Sequence, residues 1–197
     1  WIEPYGHWLR ESNIWYQVGF HSRAQGAAAG IDLELLDGWS VGIGGAWNES
    51  NMQWRRGQGF STIRGYYAAI YSDYFYKNFY VGVSCARGFD KCHSSRHIHF
   101  STVDEHAHGS RDNTEWMGQI TLSLSSGPSN CFTFPYFTLD YFYLKQDSIK
   151  EKGAPGLNLH VSEQSGSTLR TEAGFLLEGQ TANPSKQFCL SPLFGVG

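Results

Sequence analysis

The sequence feature that most constrains the fold is a two-residue alternation that recurs along the whole chain. From Trp39 to Trp47 every second residue is tryptophan, aliphatic or glycine, and the residues between them are small or polar. Successive side chains of a β-strand point to opposite faces, whereas a helix repeats every 3.6 residues. The pattern therefore predicts strands. Eight segments carry it, at residues 1–9, 27–35, 39–47, 63–71, 79–86, 116–124, 135–143 and 169–177.

The predicted strands are long, and a ninth is expected to begin near Gln187. Their lengths of about 9 to 14 residues exceed the usual 5–6 of soluble sheets and suit strands that cross a membrane at a tilt.

The predicted connections are alternately short and long. Asp37-Gly38 is a tight hairpin signal. The other short connections lie at 73–78, 126–130 and 179–186, and the long polar ones at 10–23, 49–60, 90–113 and 145–165. Strict alternation places every long connection at one end of an antiparallel meander, as in barrels with short periplasmic turns and long external loops. The predicted fold class is therefore all-β, an antiparallel up-and-down transmembrane β-barrel of the bacterial outer membrane.

The two faces of the predicted strands differ in chemistry. One face is apolar and is expected to contact lipid; its members are Ile31, Leu33, Val41, Ile43, Val81, Val83, Leu139 and Phe175. The other mixes small residues with charges and is expected to line a wet lumen; its charged members are Asp32, Glu34, Arg64, Asp140, Arg170 and Glu172. An apolar soluble core would not accept that mixture, because buried charges need partners. Arg170 and Glu172 could join a polar network with Arg64, Asp32, Glu34 or Asp140, or could remain independent hydrated side chains; both arrangements stay open at this point.

Composition narrows the classes of partner. The 15 basic and 18 acidic residues give a net charge of -3 without a Lys/Arg run, so no nucleic-acid partner is predicted. The mean hydropathy of -0.38 resembles that of a soluble protein, but a membrane barrel exposes only alternate residues to lipid and averages out polar. No stretch approaches the roughly 18 consecutive apolar residues of a membrane helix. Aromatic residues make up 16% of the chain and concentrate near the strand ends, as at membrane interfaces.

Several segments together resemble the translocator domains of autotransporters, the proteins of type V secretion. These segments are residues 26–35 (GAAAGIDLEL), 39–47 (WSVGIGGAW), 65–72 (GYYAAIYS), 79–88, 134–144 (FPYFTLDYFYL) and 169–177 (LRTEAGFLL). The aromatic-rich opening WIEPYGHWL and the scattered cysteines are most similar to a chlamydial polymorphic outer-membrane protein.

The resemblance implies a barrel of twelve strands with a helix or linker threading its lumen. Residues 1–197 would then be a β-barrel domain that is incomplete at its C-terminus, with about eight to nine of the strands present. It also implies that an N-terminal passenger is anchored and carried to the cell surface. The implied partners are outer-membrane lipid, the protein's own passenger domain and the barrel assembly machinery.

A histidine-rich segment offers a different chemistry. It contains Asp90, Cys92, His93, His97, His99, Asp104, Glu105, His106 and His108. His97 and His99 share a strand face and, with His93 or Cys92, could bind a divalent metal; histidine with aspartate could also activate water. The alternative, which we favour, is a solvated external loop. No metal, cofactor or enzymatic activity is therefore predicted.

The four cysteines form no CxxC pair. Cys85 and Cys92 could close a disulfide within a hairpin. Cys131 and Cys189 lie at the predicted periplasmic end, an oxidising compartment, and could pair with each other or with other envelope proteins.

Two non-enzymatic alternatives to a translocator remain open at this point. One is a plain outer-membrane channel, which would use the same polar lumen. The other is a soluble ligand-binding barrel of lipocalin type, for which eight strands suffice.

Overall fold

The structure is a computed structural model that describes residues 1–13, 15, 18–125, 131–180 and 187–190. Within these residues, nine antiparallel strands form one sheet, and each pairs with the next strand of that sheet in chain order. The strands of this sheet are β1 (Ile2–Arg10), β2 (Phe20–Leu36), β3 (Trp39–Trp54), β4 (Gly59–Tyr76), β5 (Phe79–Phe100), β6 (Val103–Leu124), β7 (Cys131–Gln146), β10 (Gln164–Gln180) and β11 (Gln187–Leu190). Two short strands, β8 (Ile149–Lys150) and β9 (His160–Val161), form a separate hairpin.

Helical structure is sparse in the described part of the chain. Arg55–Gly57 forms a single 3-10 turn between β3 and β4. Within the described residues, no helix has the length and hydropathy needed to span a membrane.

The prediction of an all-β, up-and-down antiparallel architecture is confirmed. All eight predicted strands are present, and β11 begins at the predicted ninth position. Two of the predicted short turns are also observed. Asp37-Gly38 joins β2 to β3, with Gly38 at φ +76°, and Lys77-Asn78 joins β4 to β5. The other two predicted turns, at 126–130 and 181–186, lie outside the described residues.

The predicted long loop at 90–113 was wrong, because this segment is a β-hairpin. β5 and β6 pair without interruption from Phe79↔Leu124 to Phe100↔Val103, and the chain reverses at Ser101-Thr102. Polar and charged side chains occupy both faces here, so the apolar alternation that marks the other strands is lost. Backbone pairing nevertheless continues, and the hairpin extends four residues past β4 and ten residues past β7. It does so at the end of the sheet where the sequence predicts the long connections, hereafter the long-connection end.

A small apolar cluster holds a second segment against this hairpin. Residues 147–163, which contain β8 and β9 and are hereafter the cap segment, contribute Ala154 to a buried cluster with Ile98 and Ala107. The backbones of His108 and Lys152 exchange two hydrogen bonds of 2.8 Å. The cap segment therefore lies on the hairpin through both packing and a backbone bridge.

An ion pair completes the attachment of the cap segment. Arg96 donates from Nη2 to Glu151 Oε2 at 2.7 Å and from Nε to Glu151 Oε1 at 3.3 Å, and it also donates to the Leu157 carbonyl at 2.9 Å. The Leu159 amide donates to the same carboxylate. The Arg96 guanidinium is the main reason that the pKa of Glu151 lies below its usual value.

We predict that acid loosens the cap segment. The pKa of Glu151 is lowered in the folded state, so the ionised carboxylate stabilises the attached cap segment fully above the unfolded-state pKa of about 4.3. This stabilisation is lost as the pH falls through the folded-state pKa. Amide hydrogen exchange of residues 149–161, corrected for the intrinsic effect of pH, should therefore accelerate below about pH 4. Arg96→Ala should give the same acceleration at neutral pH. Lys145→Ala, which removes an exposed pair with Glu163, is the control and should change nothing; equal effects of the two variants would contradict the assignment.

Candidate functional site: the two faces of the sheet

The strand register shows which side chains share a face, because directly opposed residues of paired strands point to the same side. One continuous row across seven strands reads Ile31, Ile43, Ile70, Cys85, Gly118, Tyr141 and Leu169. All eight residues that the sequence predicts to be apolar and outward are an even number of positions from this row along their own strands. They therefore lie on the same face of the sheet as the row. We call this side the apolar face and the opposite side the polar face.

The apolar face is exposed and the polar face is largely covered. Ile31 and Ile43 have 64% and 57% of their surface exposed, whereas Asp90 and Thr138 on the polar face retain 4% and 9%. A water-soluble domain shows the reverse arrangement, and soluble proteins rarely expose a continuous apolar surface of this extent. The lipocalin-type alternative required an apolar interior and does not agree with these exposures.

Aromatic side chains border the apolar face at both ends. Those towards the short turns are Trp39, Tyr74, Tyr76 and Phe79, and those towards the long-connection end are Trp47, Tyr66, Phe89, Trp116 and Tyr143. Tyr66 and Tyr74 of β4 are separated by about 27 Å along an extended strand. Strands tilted by about 40° would place the two belts roughly 20 Å apart along a membrane normal, comparable with the ~25 Å apolar band of outer-membrane barrels.

Five of the six charged residues predicted to share a face do so. Asp32, Glu34, Asp140, Arg170 and Glu172 all lie on the polar face by register.

Arg64 is the exception, and its predicted position beside the other charges was wrong. It lies on the same face as Ile70, directly opposite Glu49, and donates from Nε to Glu49 Oε2 at 2.7 Å. It is two residues beyond Tyr66, towards the long-connection end. The error arose because β4 carries large side chains on both faces. Alternation alone therefore could not determine which of the two alternating sets of β4 residues lies on the apolar face.

Asp140 is the centre of a polar cluster on β6, β7 and β10. Arg170 donates to Asp140 Oδ2 from Nε and from Nη2, both at 2.8 Å, and Gln119 donates to Oδ1 at 2.8 Å. Glu172 extends the cluster, with an oxygen 3.8 Å from Arg170 Nη2 and a hydrogen bond of 2.9 Å from the Tyr136 hydroxyl. Of the two arrangements that the sequence leaves open, the structure therefore has the polar network, around Asp140, Arg170 and Glu172.

Tyrosines form a second polar cluster that the sequence reasoning missed. Tyr71 donates its hydroxyl proton to Asp32 and accepts one from Trp1 Nε1 at 2.7 Å. Tyr67 donates to Asp90 at 2.9 Å. The alternation of Ile63, Gly65, Tyr67, Ala69 and Tyr71 in the sequence predicts both tyrosines on the apolar face, and that prediction was wrong. The available signal was the spacing of two tyrosines four residues apart, opposite the small residues of β3.

These tyrosines also cover glycines of neighbouring strands. A Cβ added to Gly42 would overlap the Tyr71 ring, and one added to Gly88 would come within 2.5 Å of the Tyr67 ring. Tyr136 covers Gly174 in the same way. The small residues of the polar face are therefore positions where a large ring from the next strand lies flat on the backbone.

The candidate metal ligands separate into different places. His97 and His99 lie together near the tip of the β5–β6 hairpin. His93 is on the same face but opposite Ser110, further from the tip, and Cys92 is on the other face. Cys92 is therefore excluded as a ligand shared with His97 and His99.

Neither of the two proposed intramolecular disulfides agrees with the structure. Cys85 is exposed on the apolar face, whereas Cys92 is buried on the other face with its sulfur 3.2 Å from the Ser61 hydroxyl. Seven residues of extended strand separate them, about 23 Å, which is far beyond disulfide reach. Cys131 and Cys189 belong to strands on either side of β10, so their Cα atoms are roughly 9–10 Å apart or more, again too far.

Comparisons with known proteins identify the architecture. The family model described as the autotransporter β-domain matches residues 1–195. Among solved structures, the chain is similar to the translocator domain of the autotransporter NalP from Neisseria meningitidis, with 20% sequence identity and a TM-score of 0.74. The match covers 92% of this chain and 61% of that one. No curated protein sequence matches this chain significantly.

We predict that Gly42→Ala destabilises the fold. The new methyl group must displace the Tyr71 ring, which is held by hydrogen bonds to Asp32 and Trp1, and the loss should be about 1–2 kcal/mol. Gly118→Ala is the matched control, because the nearest atom to its added carbon is 4.0 Å away. Denaturant midpoints of both variants in detergent measure the difference. A Gly42→Ala midpoint equal to that of Gly118→Ala would show that the ring moves without cost.

Proposed function

This chain belongs to the autotransporter β-domain family, and on that premise we propose that it carries an attached passenger domain across the outer membrane to the cell surface. Domains of this family are outer-membrane β-barrels of Gram-negative bacteria, which agrees with the predicted location. The chain spans 61% of the length of the NalP translocator domain that it matches. We take residues 1–197 as one β-domain. Its proposed role is transport and not catalysis.

The observation that carries the proposal is the opposite chemistry of the two faces. Exposed aliphatic residues such as Ile43 and Ile70, bordered by aromatic belts, suit contact with outer-membrane lipid. The polar face, with its Tyr71 and Asp140 clusters, suits a water-filled lumen. An extended passenger segment passing along that lumen would keep its backbone groups hydrated or hydrogen-bonded, which hydrocarbon does not allow.

The Asp140 cluster is the proposed contact for a segment threading the lumen. The Arg170 side chain is 63% exposed although it is paired with Asp140, so it remains accessible to a segment that passes along this face. Gln119 and Glu172 add both donors and acceptors beside it. Such a surface can bond to successive peptide groups without selecting one side chain, as a route for an extended chain requires.

The proposed topology places the long-connection end outside the cell and the short turns in the periplasm. In this orientation the Arg64–Glu49 pair lies beyond the outer aromatic belt, where water and not lipid surrounds it. Insertion of such a barrel needs the barrel assembly machinery, the second proposed partner. The opening WIEPYGHWL and the positions of Cys85, Cys92, Cys131 and Cys189 support a finer assignment to the chlamydial polymorphic outer-membrane proteins.

A plain channel would use the same polar lumen, so the polar face favours both functions. The family match favours the translocator, because the matching family is defined by passenger export. A passenger that reaches the surface separates the two functions, whereas ion conductance in planar bilayers would be shared by both.

We predict that an arginine is tolerated on the polar face but not on the apolar face. Ile70→Arg places a charge in lipid at a cost of roughly 2–4 kcal/mol near the bilayer midplane. Ser84→Arg is the matched control, since Ser84 lies on the neighbouring strand beside Tyr71 but on the polar face. Heat-modifiable gel mobility of the full-length protein reports assembly. Ile70→Arg should lower the assembled fraction strongly, and equal assembly of both variants would contradict the assignment of the faces.

We predict that both the passenger and the hairpin tip are accessible on intact cells. Protease added outside should remove the passenger of the full-length protein, and antibody should detect an epitope tag inserted between Ser101 and Thr102. The tip is suitable because the chain reverses there and pairing ends at Phe100↔Val103. A passenger that is protected while the tag is accessible would refute transport but retain the topology. A tag detected only after permeabilisation would reverse the topology itself.

A further inference from the structure

The tip of the β5–β6 hairpin gathers several potential metal ligands on one side. Register places His97 opposite His106, His99 opposite Asp104 and Ser95 opposite His108. Since opposed residues share a face and alternate residues of one strand do too, the four histidines and the aspartate form one surface. Two of these side chains come from β5 and three from β6.

Three of these side chains converge closely. His97 Nε2 is 2.5 Å from Asp104 Oδ1, and His99 Nδ1 is 3.8 Å from the same oxygen. The ligand atoms of all three residues lie within 4.8 Å of one another. The His106 ring stacks on that of His97, with centroids 4.4 Å apart and planes 4° from parallel. His106 therefore packs against the cluster and is not among the three residues whose ligand atoms converge.

We propose that His97, His99 and Asp104 bind a divalent transition-metal ion, Zn²⁺ or Cu²⁺, at the tip of this hairpin. The inference is independent of the proposed transport function.

The donor set and its spacing suit such an ion. Imidazole nitrogens are preferred ligands of zinc and copper, and a carboxylate supplies a compensating negative charge. Bonds of about 2.0–2.1 Å in a tetrahedral site place neighbouring donors roughly 3.3 Å apart. The two distances to Asp104 Oδ1 lie on either side of that value, so small side-chain rotations would admit an ion. Any proton on a ligating nitrogen would move to the other ring nitrogen or leave to solvent.

The proposed site is open to solvent. His99 and Asp104 have 67% and 65% of their side chains exposed, which leaves a path for an ion from solvent. Bound metal would link β5 to β6 just below the turn at Ser101-Thr102.

The test is a metal titration of the full chain in detergent micelles. Isothermal titration with Zn²⁺ should give one equivalent bound, and electron paramagnetic resonance with Cu²⁺ should show nitrogen hyperfine structure from imidazole. His97→Ala should weaken Zn²⁺ binding by roughly tenfold or more. His93→Ala is the matched control, because His93 lies on the same strand and face but outside the cluster. It should bind Zn²⁺ as the wild type does.

A second measurement covers the case in which His97→Ala fails to assemble. In the wild-type protein, Zn²⁺ should protect His97 and His99, but not His93, from modification by diethylpyrocarbonate, as read by peptide mass spectrometry. No uptake of Zn²⁺ by the wild type would overturn the proposal. Equal weakening by the His97 and His93 substitutions, or equal protection of all three histidines, would also overturn it.

Discussion

Backbone pairing between neighbouring strands is the constraint on which the rest of this structure depends. Hydrocarbon offers no partner to an amide or a carbonyl, so each such group between the aromatic belts must be bonded to the next strand. In paired strands, successive side chains point to opposite faces of the sheet. The two faces can therefore differ in their amino-acid composition. Ile43, for example, lies on the apolar face opposite Ile31 of the neighbouring strand, whereas Asp32, the residue after Ile31, lies on the polar face.

The same pairing explains why so few apolar residues are buried. Among the described residues the buried apolar cluster is Ile98, Ala107 and Ala154, and it lies where the hairpin and the cap segment extend past the belts. In that region apolar side chains pack against one another as they do in a soluble domain. Apolar side chains are therefore exposed on the sheet between the two aromatic belts and buried in the small cluster beyond the outer belt.

Alternation and turn chemistry were enough to predict the strands, their order and the common face of the eight apolar residues, because these depend on local sequence. They failed for Arg64 and Tyr71, since β4 has large residues on both faces and only pairing with β3 settles its phase. They also failed for the hairpin tip, where His97 and its neighbours lack apolar alternation although the backbone is paired. The polar cluster around Asp140 was partly predictable, because the spacing of Arg170 and Glu172 fixes their common face but not their partners.

Rings lying on glycines add information that alternation lacks. Displacing one strand by two residues leaves every side chain on its proper face, so the hydrophobic pattern cannot oppose such a slip. For β4 against β5, however, the slip would exchange Gly88 beneath the Tyr67 ring for Ala86 or Asp90. The ring has room over glycine and collides with either substitute. Each contact between a tyrosine ring and a glycine therefore selects the correct strand register. It disfavours a shift by two residues, which the alternation of apolar and polar side chains would allow.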